Sequence, residues 1–322
     1  MIESTESVAM SQTLLLMGPL LPAVMETLES TYTVHRHWEA DDADALVARI
    51  SEGCKGVVTD GGRGVSNEVL EKLPNAGIVA VFGVGVDAVD LDYCEGRGIA
   101  VTNTPDVLSD DVADLAVALA LAVSRRLVVA DRYAREGRWA SEGGLPLTRR
   151  MMGKRAGIYG MGSIGGVLAK RLAAFGMEIA YCNRSEREGS PYRFVASLEA
   201  LAKDVDFLFV TASAAPGTIG SVNAAVLDAL GPEGWLVNVS RGTLVDEPAL
   251  VEALEQGRIA GAGLDVFEDE PNIPEALFPL DNVVLQPHVA SGTHETRAAM
   301  GQLVLDNLEA HFADRELPTR VV

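Results

Sequence analysis

At 322 residues, 48% of them hydrophobic and 22% charged, the chain has the length of about two domains and enough apolar residues to bury a core in each, which excludes a disordered chain. Its formal net charge of −20 argues against general binding to nucleic acid or anionic membranes, while leaving room for a local basic pocket built from a few arginines. Cys54, Cys94 and Cys182 lie far apart with no CxxC and no His/Cys cluster, so buried thiols in a reducing cytoplasm are expected, with no disulfide and no metal site. The longest uncharged apolar stretch, Leu115–Val123, is too short to span a bilayer, and no basic segment precedes the apolar Leu14–Leu21, so neither a membrane span nor a signal peptide is expected.

Met1–Gln12 reads as a polar extension. Strands are then predicted at Thr13–Met17, Thr31–His35, Val57–Thr59 and Ile78–Phe82, and another ends in Val101-Thr102-Asn103-Thr104-Pro105. Between them, helices are predicted around Ala23–Leu28, at Asp42–Ser51, and at Asn67–Leu73 with Ser66 as N-cap. Short apolar strands alternating with helices imply a parallel sheet covered on both faces. Gly83-Val84-Gly85-Val86-Asp87 directly follows one strand, at the edge where open α/β sheets bind ligands; its backbone N–H groups can converge on a carboxylate, or it can be a bare turn.

Asp110–Ala130 reads as one long helix, acidic at its start and basic further on, with apolar surface broad enough for burial between domains or at a subunit interface. Trp139 reads as a packing residue, and Ser141–Arg150 as a polar loop. The stretch Ala156–Gly165 (AGIYGMGSIG) then reads as strand, tight turn and helix start. Gly160 permits the turn, Gly162 lets the backbone approach a pyrophosphate, and Gly165 allows close packing of helix on strand. The helix Val167–Phe175 and the strand Glu178–Tyr181 complete the βαβ context, so Gly160, Met161, Gly162, Ser163 and Ile164 are candidates to bind a dinucleotide through the helix N-terminus.

Further strands are predicted at Phe207–Thr211, Trp235–Val239, Gly263–Val266 and Val283–Leu285, six counting from Gly157, with helices at Asn223–Leu230 and Glu247–Gln256. A final helix, Thr293–Phe312, returns to the first domain. Residues 1–104 with 289–322 are therefore expected to form one domain and 105–288 the other. Where NAD-binding units carry an acid for the ribose hydroxyl, this chain has Cys182-Asn183-Arg184-Ser185. Arg184 can pair with a 2′-phosphate while Asn183 and Ser185 add polar contacts, which selects NADP(H); the alternative is Arg184 as an ordinary solvated residue.

Arg241, Glu270 and His288 follow predicted strand ends and can face the crevice beyond the sheet. Histidine is the natural proton donor to a carbonyl oxygen, a carboxylate beside it fixes its tautomer and favours its charged form, and an arginine can hold a substrate carboxylate. From spacing alone the three are equally a structural ion pair with a neighbour. Taken together, Gly160–Gly165, Ser240-Arg241-Gly242 with Val245-Asp246-Glu247, Leu264–Phe267 with Glu270-Pro271, and Pro287-His288 resemble the D-2-hydroxyacid dehydrogenase family over essentially the whole chain after residue 12.

That resemblance implies a two-domain α/β fold, with a doubly wound Rossmann cofactor domain and a flavodoxin-like substrate domain. It implies that Arg241, Glu270 and His288 are the catalytic set, that Val84, Gly85 and Val86 bind the substrate carboxylate, and that Asp265 lies near the nicotinamide carboxamide. Asp106–Asp114, Asn183–Ser185 and Ser291-Gly292-Thr293 are similar to the NADPH-preferring glyoxylate/hydroxypyruvate and hydroxyphenylpyruvate reductase branch. A homodimer is implied, with Trp139 near its contact. Competing readings are an NAD-dependent phosphoglycerate dehydrogenase core and a dinucleotide-sensing binding protein on the same scaffold.

Overall fold

The computed structural model describes residues 12–322, so the expected extension Met1–Gln12 lies outside the described residues except for Gln12. The chain divides into two units, one running up to Leu108 and resuming over Thr293–Val322, the other formed by Ser109–Gly292.

The first unit is built on β1 (Thr13–Leu16), α1 (Pro22–Thr31), β2 (Thr33–Arg36), α2 (Ala43–Ile50), β3 (Cys54–Asp60), α3 (Asn67–Glu71), β4 (Ile78–Phe82), α4 (Leu91–Gly96) and β5 (Ala100–Thr102). Its strands pair in parallel in the order β2-β1-β3-β4-β5. β4 (IVAVF) is buried at every position, as a central parallel strand covered on both faces must be, which is why it reads as an unbroken apolar run. Helix starts are fixed locally. Asp42, Ser66 and Asp90 each accept a backbone N–H from three residues on, satisfying donors that the helix leaves open. Asp90 thereby starts α4, a short helix absent from the sequence reading because it buries only Cys94 and shows no apolar period.

The second unit comprises α5 (Ser109–Ser124), α6 (Leu127–Arg135), α7 (Arg138–Glu142), β6 (Arg155–Tyr159), α8 (Ser163–Ala174), β7 (Glu178–Cys182), β8 (Arg193–Phe194), α9 (Leu198–Lys203), β9 (Phe207–Val210), α10 (Ala224–Leu230), β10 (Trp235–Asn238), α11 (Glu247–Glu255), β11 (Gly261–Leu264) and β12 (Val283–Leu285). The chain then re-enters the first unit as α12 (His294–Phe312), which packs against β4 and α1. The second sheet has seven parallel strands in the order β12-β11-β10-β9-β6-β7-β8. The strand order reverses between β6 and β9, so the switch point lies at the carboxyl end of β6, where the glycine-rich turn begins. The seventh strand is β8, two residues long and too short to leave a pattern in the sequence.

The expected single helix Asp110–Ala130 is two. α5 ends at Ser124, and Arg126 adopts a left-handed conformation (φ 52°) before α6 begins. No glycine or proline marks the break, so the apolar run conceals it. Within its own unit α5 packs on α8 and on β10, β11 and β12. The start of the second strand moves as well, since α1 runs through Thr31 and β2 begins only at Thr33. All three cysteines are buried free thiols. No helix among the described residues is long and apolar enough to cross a membrane.

Leu208, fully buried on β9 between β6 and β10, tests this core directly. Leu208→Ala is expected to cost about 2–5 kcal/mol, through lost burial plus a cavity, read as a lower urea midpoint with an unchanged slope.

Candidate active site

His288 follows β12 and has a left-handed backbone (φ 51°), an unfavourable conformation for a residue with a side chain. The surrounding hydrogen bonds dictate it. The His288 N–H donates to the Asp265 carbonyl at 2.8 Å, and the next two N–H groups, of Val289 and Ala290, donate to the two Asp265 carboxylate oxygens at 2.8 and 3.0 Å. Asp265 itself is 0% exposed at the end of β11. Burial pushes its carboxyl up from the ordinary aspartate range, and the two N–H bonds offset only part of that. The structure therefore turns both Asp265 oxygens toward the turn that carries His288.

Glu270 lies on the segment after β11. Its Oε2 is 2.6 Å from His288 Nδ1, and its Oε1 accepts the Phe267 N–H at 3.0 Å. Both side chains reach solvent, His288 at 41% and Glu270 at 32% exposure. Burial raises the Glu270 carboxyl, but the His288 hydrogen bond and charge, the Phe267 N–H and the Arg241 charge outweigh it, and the net position is below the ordinary glutamate range. Glu247, at the start of α11, accepts the Glu268 N–H at 2.9 Å and so ties the Glu270 segment to that helix.

Arg241 follows β10 and donates from Nη1 to the Ser240 carbonyl at 2.9 Å. Its backbone is held by Asn238, a buried residue that donates to the Arg241 carbonyl at 2.9 Å and accepts the Ser240 N–H at 3.1 Å. Next comes Gly242, where a Cβ would stand 1.9 Å from the Phe267 carbonyl carbon. Only glycine allows this approach, and through it the Arg241 and Glu270 loops lock backbone to backbone. The structure thus brings Arg241, Glu270, His288 and Asp265 into one cluster. Sequence reading missed Asn238 and quoted Glu247 only within the Val245-Asp246-Glu247 motif; a lone asparagine closing the apolar strand WLVN was the available signal.

The nucleotide end lies at the β6–α8 turn. Gly160 has φ +105°, and a Cβ there would stand 2.3 Å from the Ala212 N, while one on Gly165 would stand 2.1 Å from the Gly160 carbonyl oxygen. Gly162 is the N-cap of α8 with no side-chain cap, and space beside it is open, in contrast to the side-chain caps of α9, α10 and α11. Ser163 and Ile164 form the first turn. This uncapped, glycine-lined helix start fits the phosphates of a dinucleotide. At the end of β7, Asn183 accepts the Met161 N–H at 2.7 Å, so it faces the glycine turn; Arg184 and Ser185 are exposed.

Val84, Gly85 and Val86 belong to the first unit, immediately after β4. Asn103 donates to the Val84 carbonyl at 2.9 Å, which ties the loop after β4 to the segment after β5.

The Glu270 position has a pH consequence. A carboxyl held lower in the folded state than in the unfolded chain stabilises the fold above the ordinary glutamate pKa, about 4.3, and that contribution disappears as pH falls through the folded value. The urea midpoint of the parent chain should therefore exceed that of Glu270→Gln at pH 7, and the margin should shrink toward pH 3. A margin that grows on acidification would contradict this pairing.

Residues 117–290 match the family model described as D-isomer specific 2-hydroxyacid dehydrogenase, NAD binding domain. The chain is 47% identical over 308 residues to hydroxyphenylpyruvate reductase of Plectranthus scutellarioides, covering 96% of this chain and 98% of that one. It is 45% identical to 2-ketogluconate reductase of Gluconobacter oxydans, with 96% and 98% covered. Among solved structures, NADPH-dependent glyoxylate/hydroxypyruvate reductase from Sinorhizobium meliloti, in complex with NADP and malonate, matches with a TM-score of 0.92 at 45% identity over 97% of each chain. With the matched segment spanning the glycine turn, Arg241, Glu270 and His288, the chain belongs to the D-isomer specific 2-hydroxyacid dehydrogenase family.

Proposed function

We propose that this protein reduces small 2-oxo acids such as glyoxylate and hydroxypyruvate, with hydroxyphenylpyruvate a further candidate, to 2-(R)-hydroxy acids using NADPH. The observation that carries the reading is the His288–Glu270 pair beside Arg241, in the same unit as an open glycine cradle. The named activities of the relatives support it.

The cofactor would supply a hydride to C2 of the 2-oxo acid. The chain's own residues do the rest. Arg241 polarises the carbonyl oxygen and holds the acid group; in the first unit, the N–H groups of Val84, Gly85 and Val86 are the carboxylate-binding loop that the family resemblance implies. Glu270 occupies His288 Nδ1, which leaves Nε2 as the atom that hands its proton to the developing alkoxide. Glu270, whose carboxyl lies below the ordinary glutamate range, stays ionised at neutral pH and holds the ring through Nδ1. We assign Asp265 to holding the His288 turn, since its carboxylate is buried and bonded to Val289 and Ala290.

For the cofactor, Gly160, Met161, Gly162, Ser163 and Ile164 form the phosphate cradle. Arg184 and Ser185 take the 2′-phosphate; Arg184 is exposed, and no carboxylate among the described residues pairs with it. The second unit is then the dinucleotide-binding domain and the first the substrate domain. Buried free thiols support a cytoplasmic location.

A homodimer is proposed from an apolar surface on the second unit. Leu127 and Val128 on α6 and Trp139 on α7 are exposed large apolar side chains of that unit, in keeping with the dimer that the family resemblance implies. Light scattering should give twice the chain mass of 34.1 kDa, and a single-chain mass at working concentration would remove the dimer.

The function is tested by following absorbance at 340 nm with NADPH or NADH and each 2-oxo acid. NADPH should be oxidised rapidly with at least one of them and NADH much more slowly. His288→Ala should lose about three or more orders of magnitude in kcat while binding NADPH as before; full activity would remove His288 from the proton-transfer role.

A further inference from the structure

Arg187 stands between Glu186 and Glu188, and as a basic residue near Arg184 its simplest role would be a second 2′-phosphate ligand. Its hydrogen bonds lead elsewhere. Arg187 Nη1 donates to the Met161 carbonyl at 3.1 Å and to the Gly162 carbonyl at 3.4 Å. Its backbone N–H donates at 2.8 Å to the hydroxyl of Tyr181, a fully buried residue on β7, which fixes where the arginine starts. The Met161 N–H, meanwhile, is taken by Asn183 at 2.7 Å. The turn between β6 and α8 is therefore gripped on both sides by the segment after β7, through its N–H by Asn183 and through its carbonyls by Arg187.

These are the peptides that must stay in place for the N–H groups of the α8 start to face phosphate. Both bonds come from one nitrogen, Nη1, and an arginine is suited to the task because its planar guanidinium holds its N–H groups in fixed directions, where a lysine's ammonium rotates freely. The same placement sets a positive charge beside the N-terminal turn of α8, where a Cβ on Gly166 would be 3.3 Å from Arg187 Nη1. A cation next to the positive end of a helix is unfavourable until an anion arrives between them. The arrangement thus suits a bound dinucleotide diphosphate, with or without the 2′-phosphate.

We propose that Arg187 is a positioning residue that holds the glycine turn for any dinucleotide, while Arg184, with Ser185, distinguishes NADPH from NADH. The proposal rests on the reading of this unit as a dinucleotide-binding domain. It divides two neighbouring arginines into a general and a selective role, and it gives Asn183 to the turn as well.

The experiment is a fluorescence titration of NADPH and of NADH, without substrate, into the parent chain, Arg184→Ala, Arg187→Ala and Arg187→Lys, with circular dichroism to verify folding. Arg187→Ala should bind both dinucleotides about tenfold more weakly, leaving their affinity ratio unchanged. Arg184→Ala should weaken NADPH and leave NADH alone. Arg187→Lys, which can reach one carbonyl, should recover part of the affinity for both. Should Arg187→Ala fail to fold, the same equal weakening is sought in Arg187→Lys. A loss in the Arg187 variants confined to NADPH would make Arg187 a 2′-phosphate ligand and overturn the proposal, and so would no change for either dinucleotide. If the parent chain bound neither, the dinucleotide reading itself would fall, an outcome separate from the behaviour of the variants.

Discussion

The buried Asp265 carboxylate is the interaction on which the reactive cluster depends. It draws two consecutive N–H groups, from Val289 and Ala290, onto its two oxygens, and its own carbonyl takes the N–H of His288. With those three bonds in place, the chain after β12 must pass through a left-handed residue, and that residue is His288. The backbone cost, on the order of 1–3 kcal/mol, is tolerated because the alternative would leave a buried carboxylate without donors. Removing the acid would release the turn and, with it, the direction in which the imidazole points.

From this anchor the rest of the cluster follows by short backbone contacts. Glu270 meets His288 because its segment is tied at Phe267 by its own carboxylate and at Glu268 by Glu247. Arg241 comes near because Gly242 lets one loop press against the other, closer than any side chain would allow. Arg241, Glu270 and His288 are thus each placed by neighbouring residues of the fold. Such support fixes geometry better than a flexible loop could, and proton transfer between a histidine and a carbonyl oxygen requires it.

The two ends of the second unit use opposite strategies toward backbone donors. Helices α9, α10 and α11 spend a serine, an asparagine and an aspartate to cap their own starts. Helix α8 begins at an uncapped glycine and keeps its donors open, and neighbouring side chains hold the turn from outside. Helices α1, α6 and α7 also start without a side-chain cap, so what marks α8 is the Gly160–Gly165 turn at its start, held by Asn183 and Arg187, which suits an anion.

Much of the fold was legible because parallel strands buried on both faces are unbroken apolar runs, and β4, β9 and β10 stand out in the chain as IVAVF, FLFV and WLVN. The glycine turn was legible too, since Gly160 and Gly165 answer local backbone demands that no other residue meets. Family resemblance, more than spacing, grouped Arg241, Glu270 and His288. What stayed hidden has a common cause. The break at Arg126, the two-residue strand β8, the grip of Asn183 and Arg187 on the glycine turn, and the bonds from Asp265 to the His288 turn all depend on partners brought together by folding. By itself the sequence determined where strands and helices could form, because side-chain period and backbone freedom are local. Only the tertiary structure decided which polar groups would satisfy one another, because a buried donor is satisfied by whatever acceptor the fold sets against it, however distant in the chain.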